Sequence, residues 1–266
     1  AIERIDLLAF SALKTYDPPL SALNGLEIES VTRRGKFLDI SAQGLHLVFH
    51  LARAGWLRWR DSLPDEPPRP GRGPLALRVR LDDSSGFDLT EAGTQRKLAV
   101  YVVSDPMSIP MVATLGPDPL TDDFDEAVLA GLLAKAGRAQ LKGVLKDQRT
   151  IAGIGNAYSD EILHAAKLSP FKPSNSLTQS ELDTLFTAIK GELSAAIKRA
   201  DGLAAKDLKG EKKSGLRVHG RTGEKCDVCG DSIAAVSFAD SSLQYCPTCQ
   251  TGGKKLADRR LSKLLK

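Results

Sequence analysis

The hydrophobic pattern of the chain changes character near residue 120. Before that point, short apolar runs alternate with segments rich in Gly, Pro and Asp, a pattern that predicts β-strands separated by turns. The predicted strands are Ile28–Val31, Phe37–Ile40, His46–His50, Trp56–Trp59, Leu75–Leu81 and Leu98–Val103. Many short strands joined by turns are typical of a β-sandwich or barrel. The Pro-rich segment 62–74 is expected to form a long surface loop.

Beyond residue 120, apolar residues recur at three- and four-residue spacings, which predicts a mostly helical region from Asp122 to Lys198. Thr178 followed by Glu181 is the pattern of a capping box, and it predicts that a long helix over 178–199 begins there. Near the C-terminus, two short runs at 236–238 and 244–245 predict the strands of a β-hairpin.

Composition places the chain among ordinary folded proteins, with 42% hydrophobic and 26% charged residues in 266. Its apolar runs are shorter than the ~18 residues of a membrane span, and the N-terminus lacks a signal-peptide pattern, so we expect a cytoplasmic protein. Residues 1–200 hold 24 basic and 25 acidic residues, whereas 201–266 hold 13 and 8. This basic C-terminal region suits a polyanion such as DNA, although a solvated surface would have the same composition.

The four cysteines form the most specific chemical pattern in the chain. Two Cys-x-x-Cys pairs, Cys226 with Cys229 and Cys246 with Cys249, are separated by sixteen residues. Each pair can form a knuckle with two thiolates facing one metal, and together they complete a closed tetrahedral zinc site. Two disulfides or a redox-active pair are the alternatives, but a redox motif needs only one pair in a βαβ context. Four sulfur ligands leave no open position, so the predicted zinc is structural.

A glycine-containing turn, Ile151-Ala-Gly153-Ile154-Gly155-Asn156, lies between two predicted helical segments. The backbone N–H groups at the start of the following helix can receive a phosphate. The same pattern also fits a plain turn, and it lacks the spacing of a nucleotide-binding fingerprint. None of the four histidines has a ligand-spaced partner. His46 and His50 are expected to pack in or beside the core, while His164 falls on a predicted helix and His219 near the cysteines.

Four strings in the same order along the chain resemble the formamidopyrimidine-DNA glycosylase and endonuclease VIII family, most closely its actinobacterial form. They are Arg33-Arg34-Gly35-Lys36-Phe37-Leu38, Leu115-Gly-Pro-Asp-Pro-Leu120, Asp147-Gln148 through Asn156-Ala-Tyr158, and Tyr245-Cys-Pro-Thr-Cys-Gln250. The resemblance implies an α+β multidomain protein with three parts. These are an N-terminal β-sandwich over 1–110, a helix-two-turns-helix domain over 111–205, and a C-terminal zinc finger with a basic tail over 206–266.

The resemblance also implies a function in base-excision repair. Such a protein flips an oxidised base out of double-stranded DNA, removes it, and cleaves the abasic strand by β-elimination. The implied partner is duplex DNA with an oxidised base or an abasic site, bound by a monomer at the bacterial nucleoid. The implied cofactor is one structural zinc ion.

Residue roles follow from the same resemblance. Lys36 matches a lysine near the lesion sugar that assists β-elimination. Arg96 matches an arginine that faces the orphaned base, while Leu98 and Arg53 occupy places where wedge side chains are usual. Further DNA contacts are implied for the backbone-binding positions Arg72, Arg138, Lys142 and Asn156.

Three departures from the family pattern bear on the expected chemistry and substrate. The family's nucleophile is the amine of an N-terminal proline followed by glutamate, and the comparison suggests that roughly twenty residues are missing before Ala1. The alternative function is therefore an inactive protein that binds damaged DNA or abasic sites, and a third class is a zinc-ribbon adaptor for proteins. Ser241 stands where an arginine usually supports δ-elimination, and the lesion-capping segment Leu203–Leu216 is short, which favours a pyrimidine-tolerant site.

Overall fold

The structure, a computed structural model, describes residues 1–69, 71, 73–203, 210, 215–238 and 241–257. The chain forms two compact units, Ala1–Leu115 and Gly116–Lys266. Within the described ranges, no helix combines the length and the apolar character needed to cross a membrane. The predicted helical and finger regions thus fall in one unit.

The described residues of the first unit form eight antiparallel strands in two sheets, which confirms the predicted β-sandwich. One sheet has the order β1–β6–β7–β5 and the other the order β2–β3–β4–β8. The strands are β1 (Ile2–Leu7), β2 (Ile28–Arg34), β3 (Phe37–Ala42), β4 (Leu45–His50), β5 (Gly55–Arg60), β6 (Leu75–Leu81), β7 (Gly86–Glu91) and β8 (Ala99–Val103). A one-turn helix, α1 (Pro110–Ala113), follows β8.

The apolar faces of the two sheets form one core. Phe49 on β4 and Phe87 on β7 come from different sheets, and their ring centroids lie 6.0 Å apart. Leu47 and Leu77, which are fully buried, belong to the same cluster. Burial of alternate residues from both sheets explains why the period-2 pattern located most of these strands.

Two strands were not predicted, and β7 shows the reason. All six of its residues are buried, including Asp88 and Glu91. Asp88 accepts two hydrogen bonds from Arg78 on β6, at 2.7 and 3.0 Å, which compensates the cost of burying its charge. Acidic residues in a short segment resemble a loop in the sequence, because the sequence does not show that Arg78 compensates the charge of Asp88. The other unpredicted strand is β1.

The second unit contains the predicted helices and the predicted hairpin. Its elements are α2 (Glu126–Ala136), α3 (Leu141–Lys146), α4 (Asn156–Ala165), α5 (Gln179–Ala200), β9 (Ala234–Ser237), β10 (Ser242–Tyr245) and α6 (Pro247–Thr251). Both hydrogen bonds of the capping box at Thr178 and Glu181 are present, which confirms the predicted start of α5. Apolar residues of the four longer helices form a separate core around Leu129, Leu145, Ile162 and Leu185.

Leu98 requires a correction. Its side chain lies just before β8 with 1% of its surface exposed, inside the sandwich core. A side chain in that position cannot enter a DNA duplex without leaving the core. The structure therefore assigns Leu98 to packing, and its predicted contact with DNA is not carried forward.

We expect Leu98→Ala to lower the free energy of unfolding by about 2–5 kcal/mol, because it removes buried apolar contacts and leaves a cavity. Both tryptophans lie in or beside β5, so their fluorescence during urea unfolding reports on this unit. Val31→Ala is the control, since Val31 is 61% exposed and its loss should cost less than about 1 kcal/mol. Unchanged stability with weakened DNA binding in Leu98→Ala would instead support the wedge role.

Candidate nucleic-acid interface and metal centre

Lys36 lies in the tight turn between β2 and β3. Arg34 pairs with Phe37 across the turn, so Gly35 and Lys36 are its two central residues. Gly35 adopts φ +59°, a left-handed conformation that glycine takes without steric cost. The side chain of Lys36 is exposed at the tip of this hairpin.

A buried carboxylate fixes the base of this hairpin. Asp39 on β3 is 2% exposed and accepts a hydrogen bond from Arg34 Nε at 2.8 Å. Its other oxygen lies 2.8 Å from His46 Nδ1 on β4. Asp39 thus joins three adjacent strands beside the turn that presents Lys36. Sequence reasoning missed Asp39, although an aspartate inside an apolar strand was a usable signal.

The register of the second sheet brings three basic segments to one end of it. Phe37 pairs with His50, and His50 pairs with Ala99. Lys36 directly precedes the first member of this row, Arg53 follows the second, and Arg96 precedes the third. Three residues that are distant in sequence therefore lie at the same end of the sheet.

Arg53 is presented by the short turn between β4 and β5. Ala52 has φ +53°, and its N–H donates to His50 Nδ1 at 3.0 Å. Gly55 closes the turn, and a Cβ there would lie 2.1 Å from the Leu51 carbonyl oxygen. The turn is thus sterically defined, and Arg53 is exposed on it.

Arg96 lies in the exposed loop 92–97, which Glu91 anchors. The buried carboxylate of Glu91 accepts the backbone N–H groups of Lys97 at 2.7 Å and Leu98 at 3.0 Å. Arg96 Nη2 donates to the Gly73 carbonyl at 3.4 Å. Arg72, the remaining predicted contact in this unit, lies outside the described residues.

His50, the last residue of β4, lies at the same end of the sheet as these basic residues. Its ring centroid is 4.9 Å from that of Phe37. Burial, together with the positive charge of Lys36, lowers the pKa of His50 below its ordinary value. His50 is therefore neutral near pH 7, so it adds no positive charge beside Lys36.

In the second unit, Gln148 braces the glycine-containing turn before α4. Its Nε2 donates to the Ile154 carbonyl at 2.8 Å, and its Oε1 accepts the Gly153 N–H at 2.9 Å. Gly153 has φ +87°, which explains the glycine there. The N-cap residue of α4 is Gly155, which makes no side-chain capping hydrogen bond, and a helix start of this kind suits an anion.

Asn156, the first residue of α4, uses part of its amide inside the protein. Its Nδ2 donates to the Ser242 carbonyl on β10 at 2.9 Å. An amide nitrogen can donate two hydrogen bonds, and the prediction that Asn156 contacts DNA stays a prediction. Arg138 is exposed in the turn after α2, where Gly137 has φ +62°.

Lys142 differs from its predicted role. It is 6% exposed, and its Nζ donates to Asp160 at 2.5 Å, Ser159 at 2.9 Å and the Asn156 carbonyl at 3.1 Å. Burial lowers its pKa, while the Asp160 carboxylate acts in the opposite direction. Because all three ammonium hydrogens have partners inside the unit, the structure makes Lys142 a buried link between α3 and α4, and we do not carry its phosphate contact forward.

Two adjacent carboxylates on α4 join the helices to the finger. Glu161 accepts three backbone N–H groups, from Arg217 at 2.8 Å, Val218 at 3.0 Å and His219 at 2.8 Å. Asp160 Oδ2 accepts hydrogen bonds from His219 Nδ1 at 2.7 Å and from the Gln244 N–H at 3.2 Å. Both acids are 1% exposed. This cluster was missed in the sequence, where two acids on a helix look like a solvated face.

The four cysteines converge, as their spacing predicted. Their Sγ atoms lie within 4.8 Å of one another, with Cys229 and Cys246 3.3 Å apart and Cys226 and Cys249 3.9 Å apart. Zinc–sulfur bonds of ~2.3 Å in a tetrahedron place sulfurs about 3.8 Å apart. The donor set and its spacing therefore fit one structural Zn²⁺ that closes the finger.

The sequence matches three domain profiles in order. The formamidopyrimidine-DNA glycosylase N-terminal domain matches residues 1–99, and the H2TH domain of the same glycosylase matches residues 115–207. The zinc finger found in FPG and IleRS matches residues 223–252.

Curated relatives extend over most of the chain. The formamidopyrimidine-DNA glycosylase of Sphingopyxis alaskensis is 36% identical over 258 residues, which cover 90% of this chain and 91% of the relative. The chain belongs to the formamidopyrimidine-DNA glycosylase family. It is thus a DNA glycosylase of the base-excision repair type. A formamidopyrimidine-DNA glycosylase-like protein of Mycobacterium tuberculosis is 58% identical over 157 residues, covering 59% of this chain and 98% of that protein.

Solved structures of the family have the same fold. Lactococcus lactis Fpg in complex with abasic-site DNA matches with a TM-score of 0.80 and 27% identity, covering 94% of this chain and 92% of that chain. The same Fpg with DNA containing FAPY-dG gives 0.81 and 28%, with equal coverage. A MutM complex with DNA containing carbocyclic 8-oxo-G gives 0.80 and 28% over the same shares.

We expect Glu161→Ala to destabilise the second unit by about 3–5 kcal/mol, because three backbone N–H groups, one of them in the buried Val218, lose a buried acceptor. The helical circular dichroism signal during urea unfolding measures this change. Asp123→Ala, at an exposed position, is the control and should stay within about 0.5 kcal/mol. A loss below about 1 kcal/mol in Glu161→Ala would show that the carboxylate is not required for docking the 217–219 segment.

Proposed function

We propose that this glycosylase acts on duplex DNA with an oxidised base or an abasic site, and that it cleaves the abasic strand by β-elimination. The observation that supports this most strongly is its likeness, over 94% of the chain, to solved complexes with abasic-site, FAPY-dG and 8-oxo-G DNA. We further propose that it binds DNA as a monomer at the nucleoid.

The first unit supplies the groups proposed to act at the lesion. Lys36, Arg53 and Arg96 are exposed at one end of one sheet, on turns with defined backbone geometry. We assign Lys36 to the lesion sugar and Arg96 to the orphaned base. Arg53 occupies the position of a wedge side chain. Its guanidinium can stack on a base or contact a phosphate.

The second unit supplies the proposed backbone contacts. The uncapped start of α4, the Asn156 amide and the exposed Arg138 are donors suited to phosphate oxygens. The hydrogen bond from Asn156 to Ser242 holds the start of α4 against the finger hairpin. Phosphate binding by this surface is thus proposed to depend on a closed finger.

The proposed reaction has two stages. An amine nucleophile attacks C1′ of the flipped nucleotide, the bond from C1′ to the base breaks, and a Schiff base forms at C1′. A base then removes a C2′ proton, and the C3′–O bond breaks with its electron pair leaving on the 3′ phosphate. Lys36 is proposed to move a proton during this elimination.

Borohydride reduction separates the enzyme from its alternatives. We expect a covalent adduct with abasic-site DNA, because reduction fixes the Schiff base as a stable amine. DNA affinity should also fall by about 10³-fold or more between 50 and 200 mM salt, since phosphate contacts release counterions. Undamaged duplex serves as the control for trapping.

The outcomes distinguish three functions. Salt-dependent binding to abasic DNA without an adduct would favour a damage-binding protein that has no chemistry. A flat salt response would remove DNA as the partner and favour a protein adaptor built on the zinc ribbon.

We expect weak or absent δ-elimination after strand cleavage. Ser241 lies in the connection between β9 and β10, and its short hydroxyl replaces the arginine implied for this step. Products from abasic DNA, separated by denaturing electrophoresis, should carry a 3′ unsaturated sugar. Ser241→Arg should increase the doubly phosphorylated gap product, with Ser237→Arg as the matched control. Complete conversion to that gap by the unaltered protein would contradict the prediction.

A further inference from the structure

His164 on α4 contacts the metal centre from outside. Its imidazole is 3% exposed, and its Nε2 lies 3.3 Å from Cys226 Sγ, 62 residues further along the chain. The histidine has no metal-ligand spacing in the sequence, so only the tertiary structure reveals this contact.

His164 is not one of the metal ligands. Among the described residues, the group of ligand atoms that lie within 4.8 Å of one another contains the four Sγ atoms and no imidazole nitrogen. Four thiolates complete the tetrahedral preference of zinc. The imidazole thus contacts a ligand and does not compete with it.

The direction of this hydrogen bond follows from the chemistry of its partners. A zinc-bound thiolate has no proton and can only accept, so Nε2 must carry the hydrogen. Nδ1 is buried and has no partner among the described residues. The opposite tautomer would bury an unpaired N–H at Nδ1 and bring two acceptors together at Nε2.

We propose that His164 is an outer-sphere positioning residue for the finger zinc, donating Nε2–H to the Cys226 thiolate. The bond withdraws negative charge from the sulfur and fixes its orientation, as partners of metal ligands generally do. Zinc affinity is thereby set partly by a helix that lies outside the finger.

The position of His164 on α4 links zinc binding to docking of the finger. Asp160 and Glu161, one turn earlier, contact Gln244, His219 and the 217–219 backbone. His164 lies three residues after Glu161 and four after Asp160. Because positions three and four apart are neighbours on a helix, His164 shares a face of α4 with both acids. Zinc loss and separation of the finger from α4 are therefore coupled events.

Zinc competition with a chromophoric chelator tests this proposal. His164→Phe keeps a planar ring without the N–H, and we expect about 10- to 100-fold weaker zinc binding. His164→Gln restores a donor and should recover part of that loss. Ile162→Val, which trims fully buried packing on the same helix, is the control and should leave zinc affinity within twofold. Equal affinities for His164→Phe and the unaltered protein would overturn the proposal.

Spectroscopy of the unaltered protein tests the same contact without substitution. Cobalt substitution should give the absorption of a four-thiolate site, and ¹⁵N NMR should show His164 as the Nε2–H tautomer. A three-sulfur, one-nitrogen cobalt spectrum would make His164 a ligand, and an Nδ1–H tautomer would reverse the bond. Either result would refute the outer-sphere role, independently of whether the protein acts on DNA.

Discussion

The buried carboxylate pair of Asp160 and Glu161 is the interaction on which the second unit depends. Two adjacent charges in a protein interior are stable only when each is paired and hydrogen-bonded. Lys142 and the 217–219 backbone supply those partners from elements that are far apart in sequence. The requirement to satisfy both acids thus brings α3, α4 and the start of the finger into one body, and it fixes the helix whose N-terminus we propose to bind phosphate.

The metal centre and this pair act together on the same helix. The cysteines fold the finger around zinc, while the face of α4 that includes His164 decides where the finger sits. A finger closed by zinc but not docked would leave the Asn156 amide without its Ser242 partner. Structural zinc can therefore affect the proposed DNA-binding surface without contacting DNA, because it holds the hairpin that orients that surface.

In the first unit, buried carboxylates support the backbone that carries exposed basic side chains. Asp39 supports the hairpin that carries Lys36, and Glu91 supports the loop that carries Arg96. The exposed side chains that we propose contact DNA are thus carried on backbone that buried carboxylates hold in place. This division explains why the buried Leu98 belongs to the support and not to the contact surface.

The sequence by itself determined the local features: the capping box at Thr178, most strands of the sandwich, and a four-thiolate metal site. Each depends on residues close together in the chain, so spacing is sufficient to predict it. Tertiary structure decided which charges are buried and which are presented. Lys142 and Arg138 look equivalent in the sequence, yet only Arg138 reaches the surface, because Asp160 lies beside Lys142. The contact of His164 with Cys226 was likewise unpredictable, since the two residues are 62 positions apart, and β7 was missed because only the folded sheet places Arg78 beside Asp88.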